Sequence, residues 1–424
     1  MANFPATDGS ARRSLEATLI VVSIAALAFN LRAAITSLPP VFPELQDKLH
    51  LSSAAITWLA ATPVLCFGAF SGIAASLSRR FGEERVLFGA LIGCSAGLLL
   101  RGALPGALLF PGSVLALGSI AIMNVLLSSM IKRRWPERAG LLIGIYLTAL
   151  SSGAVIASLV SVPLFNGSGG SVKETLGLWG LPAVAATLIW ITQLRYPPPS
   201  RRPGAETTRP TGAQVGVYRH RLAWQVTLFM GLQSLLYYAA ASWLPELFRD
   251  RGDSATTAGA LLAVMGLGNL LTSLITPAIA DRVADQRLLV APSVVITAVG
   301  LAGSLWAPLG SAVFWVLILG MAQGAALGLG IFFTMARAPD PATAASLSSL
   351  AQSVGYLLSA AGPLAVGFLR TATGGWTVPV VLLLVVCVVE ITVGLLAGRD
   401  RMIPARFSPD SATAADDGLH ADNY

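Results

Sequence analysis

Long apolar segments alternate with short polar stretches along most of the chain. Each segment holds the ~17–20 apolar residues that a helix needs to cross a bilayer, so each predicts one transmembrane helix. The predicted spans are residues 17–38, 54–77, 86–103, 107–131, 139–163, 175–194, 222–244, 256–280, 288–306, 310–335, 344–369 and 376–397. The pattern therefore predicts an all-α membrane protein with twelve transmembrane helices.

A polar stretch rich in Pro, Arg, Gly and Thr separates the sixth and seventh spans. It has no helical periodicity and predicts a flexible cytoplasmic linker over residues 195–221. The predicted domains are a cytoplasmic N-terminus (1–16), an N-terminal six-helix half (17–194), this linker, a C-terminal six-helix half (222–397) and a cytoplasmic C-terminal tail (398–424).

The two predicted halves carry a weak internal repeat. With a shift of 202 residues, the segment 43–45 (Pro-Glu-Leu) falls on 245–247 (Pro-Glu-Leu), and Arg80 and Arg85 fall on Arg282 and Arg287. The register needs no gap across the first two spans of each half. It indicates two parallel six-helix halves, an architecture found among secondary transporters.

Composition and charge agree with a multi-pass membrane protein. Hydrophobic residues make up 54% of the chain and charged residues only 12%, whereas soluble domains carry about 25% charged residues. With both termini in the cytoplasm, 21 of the 28 Lys and Arg fall in cytoplasmic segments, as the positive-inside rule requires. Six fall in external loops, namely Lys48, Arg101, Lys173, Arg249, Arg251 and Arg370. Orientation in the inner membrane thus explains the net charge of +7, and no nucleic-acid partner is expected.

The segment Ala280–Arg287 resembles the cytoplasmic loop motif of the major facilitator superfamily. The resemblance implies that Asp281, Arg282 and Arg287 belong to a charge cluster that locks the outward-facing state. The first-half copy contains Arg80 and Arg85 but departs from the motif. An arginine occupies its acidic position, so Glu83 or Glu84 would have to supply the carboxylate.

Three further segments resemble the bacterial cyanate/2-nitroimidazole transporter family within that superfamily. They are Asn30–Ser37, Met130–Trp135 and Trp243-Leu244-Pro245. The resemblance extends over essentially all twelve spans. It implies two halves that rock about a central site lined chiefly by spans one, four, seven and ten, and substrates such as cyanate-like anions, nitroaromatic compounds or small carboxylates.

Arg32 is the candidate substrate anchor. It lies inside the first apolar segment, where a charge costs roughly 2.5–3.5 kcal/mol on insertion scales. An arginine at this depth either faces a water-filled cavity and binds an anion, or pairs with a structural partner. Asn30 is two residues away, about 200° around the helix, so the two side chains cannot both face a cavity squarely.

Other polar side chains in the spans are candidates for orienting a substrate. Gln233 and Tyr237 are four residues apart in span seven and share one helix face. Gln323 in span ten could face them, and Asn124 in span four could line a cavity or pack between helices. Tyr146 in span five could close over a small ligand.

Acidic residues are nearly absent from the spans. Glu390 in span twelve is the one that is clearly intramembrane, and it is a weak candidate for proton coupling because span twelve is usually peripheral in this fold. Spans four, seven and ten contain no Asp, Glu or His, and no nucleophile–base pair or metal cluster is evident. No enzyme activity, metal or cofactor is therefore expected.

The sequence favours a secondary or facilitative transporter, working as a monomer, that moves a small anion or compact polar solute by alternating access. Arg32 would hold the negative group by charge-assisted hydrogen bonds. The alternative is an exporter of neutral small molecules or drugs in which Arg32 has a structural role. The direction of transport and the coupling ion stay open.

Overall fold

A computed structural model describes residues 8–194 and 217–404, except the side chains of residues 8–17, 75, 136, 341 and 342. These ranges are helical and contain no strand. The helices are α1 (Asp8–Thr36), α2 (Phe42–Lys48), α3 (Ser53–Phe81), α4 (Glu83–Ala103), α5 (Pro105–Arg134), α6 (Ala139–Gly167), α7 (Val172–Leu178), α8 (Gly180–Leu194), α9 (Arg221–Asp250), α10 (Ala255–Ala280), α11 (Arg287–Trp306), α12 (Ala312–Ala336), α13 (Pro341–Ser359), α14 (Ala361–Thr373) and α15 (Thr377–Ala397). The first seven residues, most of the predicted linker (195–216) and most of the predicted tail (405–424) lie outside the described residues.

Within the described ranges, eleven helical segments are long and apolar enough to cross a membrane. They match eleven of the predicted spans, with α13 and α14 together forming the eleventh predicted span. The seventh predicted span corresponds to α9, whose 30 residues extend about 45 Å. Nearly all its side chains from Leu222 to Phe248 are buried. Because protein surrounds most of α9, this helix needs less apolar surface than one that faces lipid.

The contacts divide the chain into two compact units. Unit 1 comprises Met1–His50 and Ala69–Ser200, and unit 2 comprises Leu51–Gly68 and Arg201–Tyr424. Helix α3 therefore contributes its first part to unit 2 and its remainder to unit 1.

In unit 1, the extensive helix contacts are between α4 and α5 and between α1 and α6, while α8 packs on both α1 and α4. The α1–α6 approach depends on Gly153, because a Cβ atom there would overlap the backbone carbonyl of Phe29. Small residues at such positions allow two helix backbones to approach closely.

In unit 2, the most extensive contact is between α10 and α12. Three glycines four residues apart, Gly320, Gly324 and Gly328, form one face of α12. The backbone carbonyls of Met265 and Asn269 on α10 lie against the first two. Helix α9 packs against α13, α14 and α15, and α11 packs against α12 and α15. Helix α9 is consequently central to unit 2.

The sorting of basic residues placed Arg101 in an external loop, although the predicted span 86–103 contains it, and the loop assignment is wrong. It lies in the last turn of α4 and is fully buried inside unit 1. Its Nη1 lies 3.4 Å from the carbonyl oxygen of Ala34, and its Nη2 3.4 Å from Ser37 Oγ. These groups surround the C-terminal end of α1, where the helix dipole favours a positive charge. Arg101 thus caps the C-terminal end of α1 through its side chain. Hydropathy along the chain does not indicate this role.

Candidate functional site

Arg32 and Asn30 take different environments on α1, as their angular separation requires. Asn30 is buried, and its Nδ2 donates hydrogen bonds to the carbonyl oxygens of Ala26 (2.8 Å) and Pro182 (3.2 Å). The second bond joins α1 to α8, so the Asn30 amide is engaged in helix packing. Arg32 is partly exposed. Asn30 is thus enclosed by protein, whereas part of the surface of Arg32 is not covered by protein.

Asn124 and Tyr146 meet in unit 1. The Tyr146 hydroxyl donates a 2.7 Å hydrogen bond to Asn124 Oδ1 and thereby joins α6 to α5. Tyr146 is buried and Asn124 is half-buried. The sequence indicated each residue separately, but only the packing of α5 against α6 pairs them.

This hydrogen bond predicts a modest effect for Tyr146→Phe. Loss of the hydroxyl leaves Asn124 Oδ1 without this donor, so we expect a loss of about 1 kcal/mol in stability. Thermal unfolding of the purified protein in detergent measures it. Tyr218→Phe is the matched control, since Tyr218 is exposed. An equal melting temperature for Tyr146→Phe and wild type would contradict the structural importance of this bond.

Gln233 and Gln323 are in direct contact in unit 2. Gln233 Nε2 lies 3.3 Å from the backbone oxygen and 3.4 Å from the side-chain oxygen of Gln323, which joins α9 to α12. The Ser234 hydroxyl donates to Gln233 Oε1 at 3.2 Å. Both glutamines are almost fully buried. They form a polar pair in the interior of the unit.

Tyr237 belongs to a group of four aromatic residues, here called the aromatic cluster: Phe67, Tyr237, Tyr238 and Tyr356. The Tyr237 and Tyr238 rings meet edge to face at 5.3 Å, and Phe67 lies 6.4 Å from Tyr238 and 5.4 Å from Tyr356. The cluster brings together the first part of α3, α9 and α13. Phe67 and Tyr356 were not predicted as site residues, because isolated aromatics in apolar segments most often serve packing.

The charged residues of the predicted loop motif, Asp281, Arg282 and Arg287, are exposed. Arg287 forms an ion pair with Asp285 (Nη2–Oδ2 2.6 Å). The Arg287 hydrogen bond lowers the pKa of Asp285 below its ordinary value. Since this pair is exposed, it contributes little to stability.

A buried arginine that the sequence did not indicate, Arg337, follows α12 and lies beside this loop. Its Nε donates to the carbonyl oxygen of Ala397 (3.1 Å), and its Nη2 donates to that of Gly398 (3.3 Å) and to Gln286 Oε1. Its guanidinium also lies 5.2 Å from the centre of the Phe333 ring. Arg337 thus joins the ends of α12 and α15 to the loop before α11. A single arginine after an apolar segment carries no signal that would have identified this role.

The first-half copy of the motif forms a different charge cluster. Arg80 and Arg85 are exposed, and Arg80 lies over the ring of Phe81. The buried carboxylates of Glu83 and Glu84 instead contact the end of α5. Arg133 Nη2 lies 2.9 Å from Glu83 Oε2, and Arg134 Nη1 3.2 Å from Glu84 Oε1. The carboxylates at the start of α4 therefore pair with arginines of the Met130–Trp135 segment.

The sequence of this chain matches a known protein family over most of its length. The family model of the Major Facilitator Superfamily matches residues 19–363. The chain belongs to the major facilitator superfamily. Proteins of this family are membrane transporters and not enzymes, so the chain is a multi-pass transporter with a small-molecule substrate. The expected fold class is confirmed, although the count of twelve spans rests on α9.

Relatives confirm the narrower resemblance. The chain is 39% identical to an uncharacterized transporter, YycB, of Bacillus subtilis (strain 168), over 92% of this chain and 96% of that protein. It is 36% identical to the 2-nitroimidazole transporter of Escherichia coli (strain K12), over 91% and 96%. It is 29% identical to the cyanate transport protein CynX of the same organism, over 90% and 96%. Among solved structures, an inward-facing bacterial homolog of the lysosomal transporter Spinster matches with a TM-score of 0.75 at 18% identity, covering 92% of this chain and 99% of that one.

Proposed function

We propose that this major facilitator protein transports a small anion or compact polar solute by alternating access, with Arg32 as the substrate anchor. The observation that carries the proposal is the position of Arg32: it lies in a membrane-length apolar helix and is partly exposed, whereas the neighbouring Asn30 is engaged in packing. A cation at this depth is retained against a cost of several kcal/mol, which is typical of functional residues. The similarity to a protein named a cyanate transport protein supports an anionic substrate.

The remaining predicted residues have supporting roles in this proposal. The Asn124–Tyr146 pair in unit 1 includes a half-buried amide that can orient a polar ligand. The Gln233–Gln323 pair in unit 2 is almost fully buried in this arrangement, so in this proposal it contacts the ligand only after α9 and α12 move apart. Alternating access requires charge contacts that break and re-form. The pairs of Glu83 and Glu84 with the end of α5, and the loop that contains Asp281, Arg282 and Arg287, are candidates, whereas Arg80 and Arg85 are exposed and have a weaker claim.

We place the protein in the bacterial inner membrane as a monomer with both termini in the cytoplasm. The distribution of basic residues supports this orientation, because 21 of 28 then lie in cytoplasmic segments, and the burial of Arg101 removes one from the external count. Labelling of single cysteines placed at exposed loop positions, in intact cells and in inverted vesicles, tests the orientation.

A neutral aromatic solute is the second candidate. The aromatic cluster in unit 2 favours it, because tyrosine and phenylalanine rings can stack on a planar ligand. The similarity to a protein named a 2-nitroimidazole transporter points the same way. In this case Arg32 would have a structural role, and binding would not depend on substrate charge.

Thermal stability in the presence of ligands separates the two candidates. A ligand that binds only the folded protein raises the melting temperature. At one hundred times its Kd, it adds about 2.7 kcal/mol to the free energy of unfolding. We expect cyanate and small carboxylates to stabilise the detergent-purified protein more than neutral analogues of matched size. Equal or greater stabilisation by neutral compounds without an acidic proton, such as N-methylated 2-nitroimidazole, would overturn the anion proposal and favour the second candidate.

A further inference from the structure

Glu390 is a buried carboxyl group to which the proposed function assigns no role. It lies in α15 and is 1% exposed. Within the part of the chain that the structure describes, its Oε2 has no hydrogen-bond partner. An ionised carboxylate in such a place, without a cation, costs several kcal/mol. Glu390 is therefore neutral, and so protonated, in this arrangement of the helices.

The helices packed on α15 present many apolar side chains to it, and they also include the buried hydroxyl residues Ser293 and Thr297 of α11, whose hydroxyls donate to carbonyl oxygens of their own helix. One turn further along α15, Gly394 packs against Phe229 of α9 and Val290 of α11. The titratable and charged side chains of the helices that α15 contacts are Arg221, Tyr237, Tyr238, Glu246, Arg249 and Asp250 on α9, Arg287 on α11, Arg370 on α14, and Cys387 on α15 itself. Of these, Cys387 is three residues away on the same helix and is also buried.

The cations near α15 lie away from Glu390: Arg221 and Arg249 are at the two ends of α9, and Arg337 donates to the carbonyl oxygens of Ala397 and Gly398, seven and eight residues after Glu390. Arg287 contacts Gly398, which is eight residues or about 12 Å further along the helix, and is paired with Asp285. Arg370 lies at the opposite end of the unit with Asp250 and Trp376. Charge compensation by an ion pair is consequently absent from the described surroundings of Glu390.

Glu390 lies at the level of the predicted substrate residues on α9. Trp376, before the start of α15, contacts Trp243 near the end of α9, while Gly394 near the end of α15 contacts Phe229. The two helices therefore run antiparallel. Glu390 is one turn before Gly394, so it is level with the turn after Phe229, which contains Gln233. A change in charge at Glu390 would act on the helix that carries the Gln233–Gln323 pair.

We propose that Glu390 is a proton-binding site and that it couples transport by this protein to protons. The carboxyl group holds one proton while α9, α11 and α15 pack around it as in this structure. It exchanges this proton with water in a step of the transport cycle that loosens the packing of these three helices within their unit. A univalent anion carried with this proton would move without net charge. The coupling rests on the proposed transport function, whereas the proton site itself does not.

Infrared spectroscopy of the purified, reconstituted protein tests the site without any substrate. At pH 7 we expect wild type to show the carbonyl stretch of a protonated carboxylic acid, and Glu390→Gln to lack it. Glu174→Gln is the matched control, because Glu174 is exposed on α7. Identical carboxylic acid bands in wild type and Glu390→Gln would overturn the proposal.

Transport in proteoliposomes tests the coupling, with radiolabelled cyanate and 2-nitroimidazole as probes. A one-unit pH gradient can support about tenfold accumulation of an anion that moves with one proton. We expect wild type to accumulate the probe, and Glu390→Gln to exchange it at equilibrium but not to accumulate it. Gradient-driven accumulation by Glu390→Gln equal to wild type would disprove the coupling. If wild type exchanges neither probe, the proposed substrate class fails, while the infrared result still decides the proton site.

Discussion

Replacing Arg32 by alanine should abolish anion-dependent stabilisation and transport while leaving the protein folded. Two charge-assisted hydrogen bonds from a guanidinium to an anion contribute about 3 kcal/mol or more, so we expect anion affinity to fall about 100-fold or further. Arg32→Lys should fail nearly as completely when binding is bidentate, because an ammonium does not reproduce the planar fork of the guanidinium. Affinity is measured as the ligand concentration that gives half-maximal thermal stabilisation.

The matched control for this experiment is Arg138→Ala. Arg138 is an exposed arginine of the same unit, so its removal changes the net charge equally without touching α1. It should keep wild-type affinity. If Arg32→Ala binds and transports anions as wild type does, Arg32 is not the anchor, and a structural role for this arginine follows. If Arg32→Ala fails to fold, Arg32→Gln, which keeps hydrogen-bond donors, provides the comparison.

Replacing Gly324 by alanine should destabilise unit 2 more than any polar substitution proposed above. A Cβ atom at this position would overlap the backbone oxygen of Asn269 and the hydroxyl of Thr272. A backbone atom cannot turn aside as a side chain can, so α10 and α12 must separate. Overpacking of this kind costs about 1–3 kcal/mol or more. The effect is measured as a lower melting temperature and as a loss of the monodisperse peak in size-exclusion chromatography.

Gly144→Ala on α6 is the control for Gly324→Ala. No atom lies within 4 Å of the added Cβ atom at Gly144, so this substitution should be neutral or slightly stabilising. Equal melting temperatures for both variants would show that the α10–α12 contact yields without cost. Thr272 belongs to the same contact, since its hydroxyl donates a 2.6 Å hydrogen bond from α10 to the Met321 carbonyl on α12.

Much of the fold could be predicted because span length and hydropathy are local properties of the chain. Eleven predicted spans correspond to apolar helices, and the family resemblance based on short segments such as Asn30–Ser37 is confirmed. The sorting of basic residues misled at one point, since it placed Arg101 in an external loop although this residue is buried against the end of α1. The seventh predicted span lies on α9, most of whose side chains are buried.

The candidate site could be predicted only residue by residue. The sequence indicated Asn124, Tyr146, Gln233 and Gln323, but the pairing of these residues depends on the rotation of each helix about its axis and on which helices are adjacent. The same holds for Arg133 and Arg134, whose carboxylate partners lie about 50 residues earlier. Arg337 was missed altogether, because its partners are carbonyl groups some 60 residues away, which leave no sequence signal.

By itself the sequence determined that this is a helical multi-pass membrane protein, because a bilayer imposes its thickness and polarity on every segment independently. The resemblance of short segments then indicated a transporter of the major facilitator superfamily. The sequence also singled out Arg32 and Glu390, since charges are rare and costly within apolar spans. Only the tertiary structure decided which polar groups are engaged in packing, as Asn30 and Arg101 are, and which carboxyl group is left without a partner. That distinction arises from contacts between helices distant in sequence, where a rotation of one residue moves a side chain by about 100°.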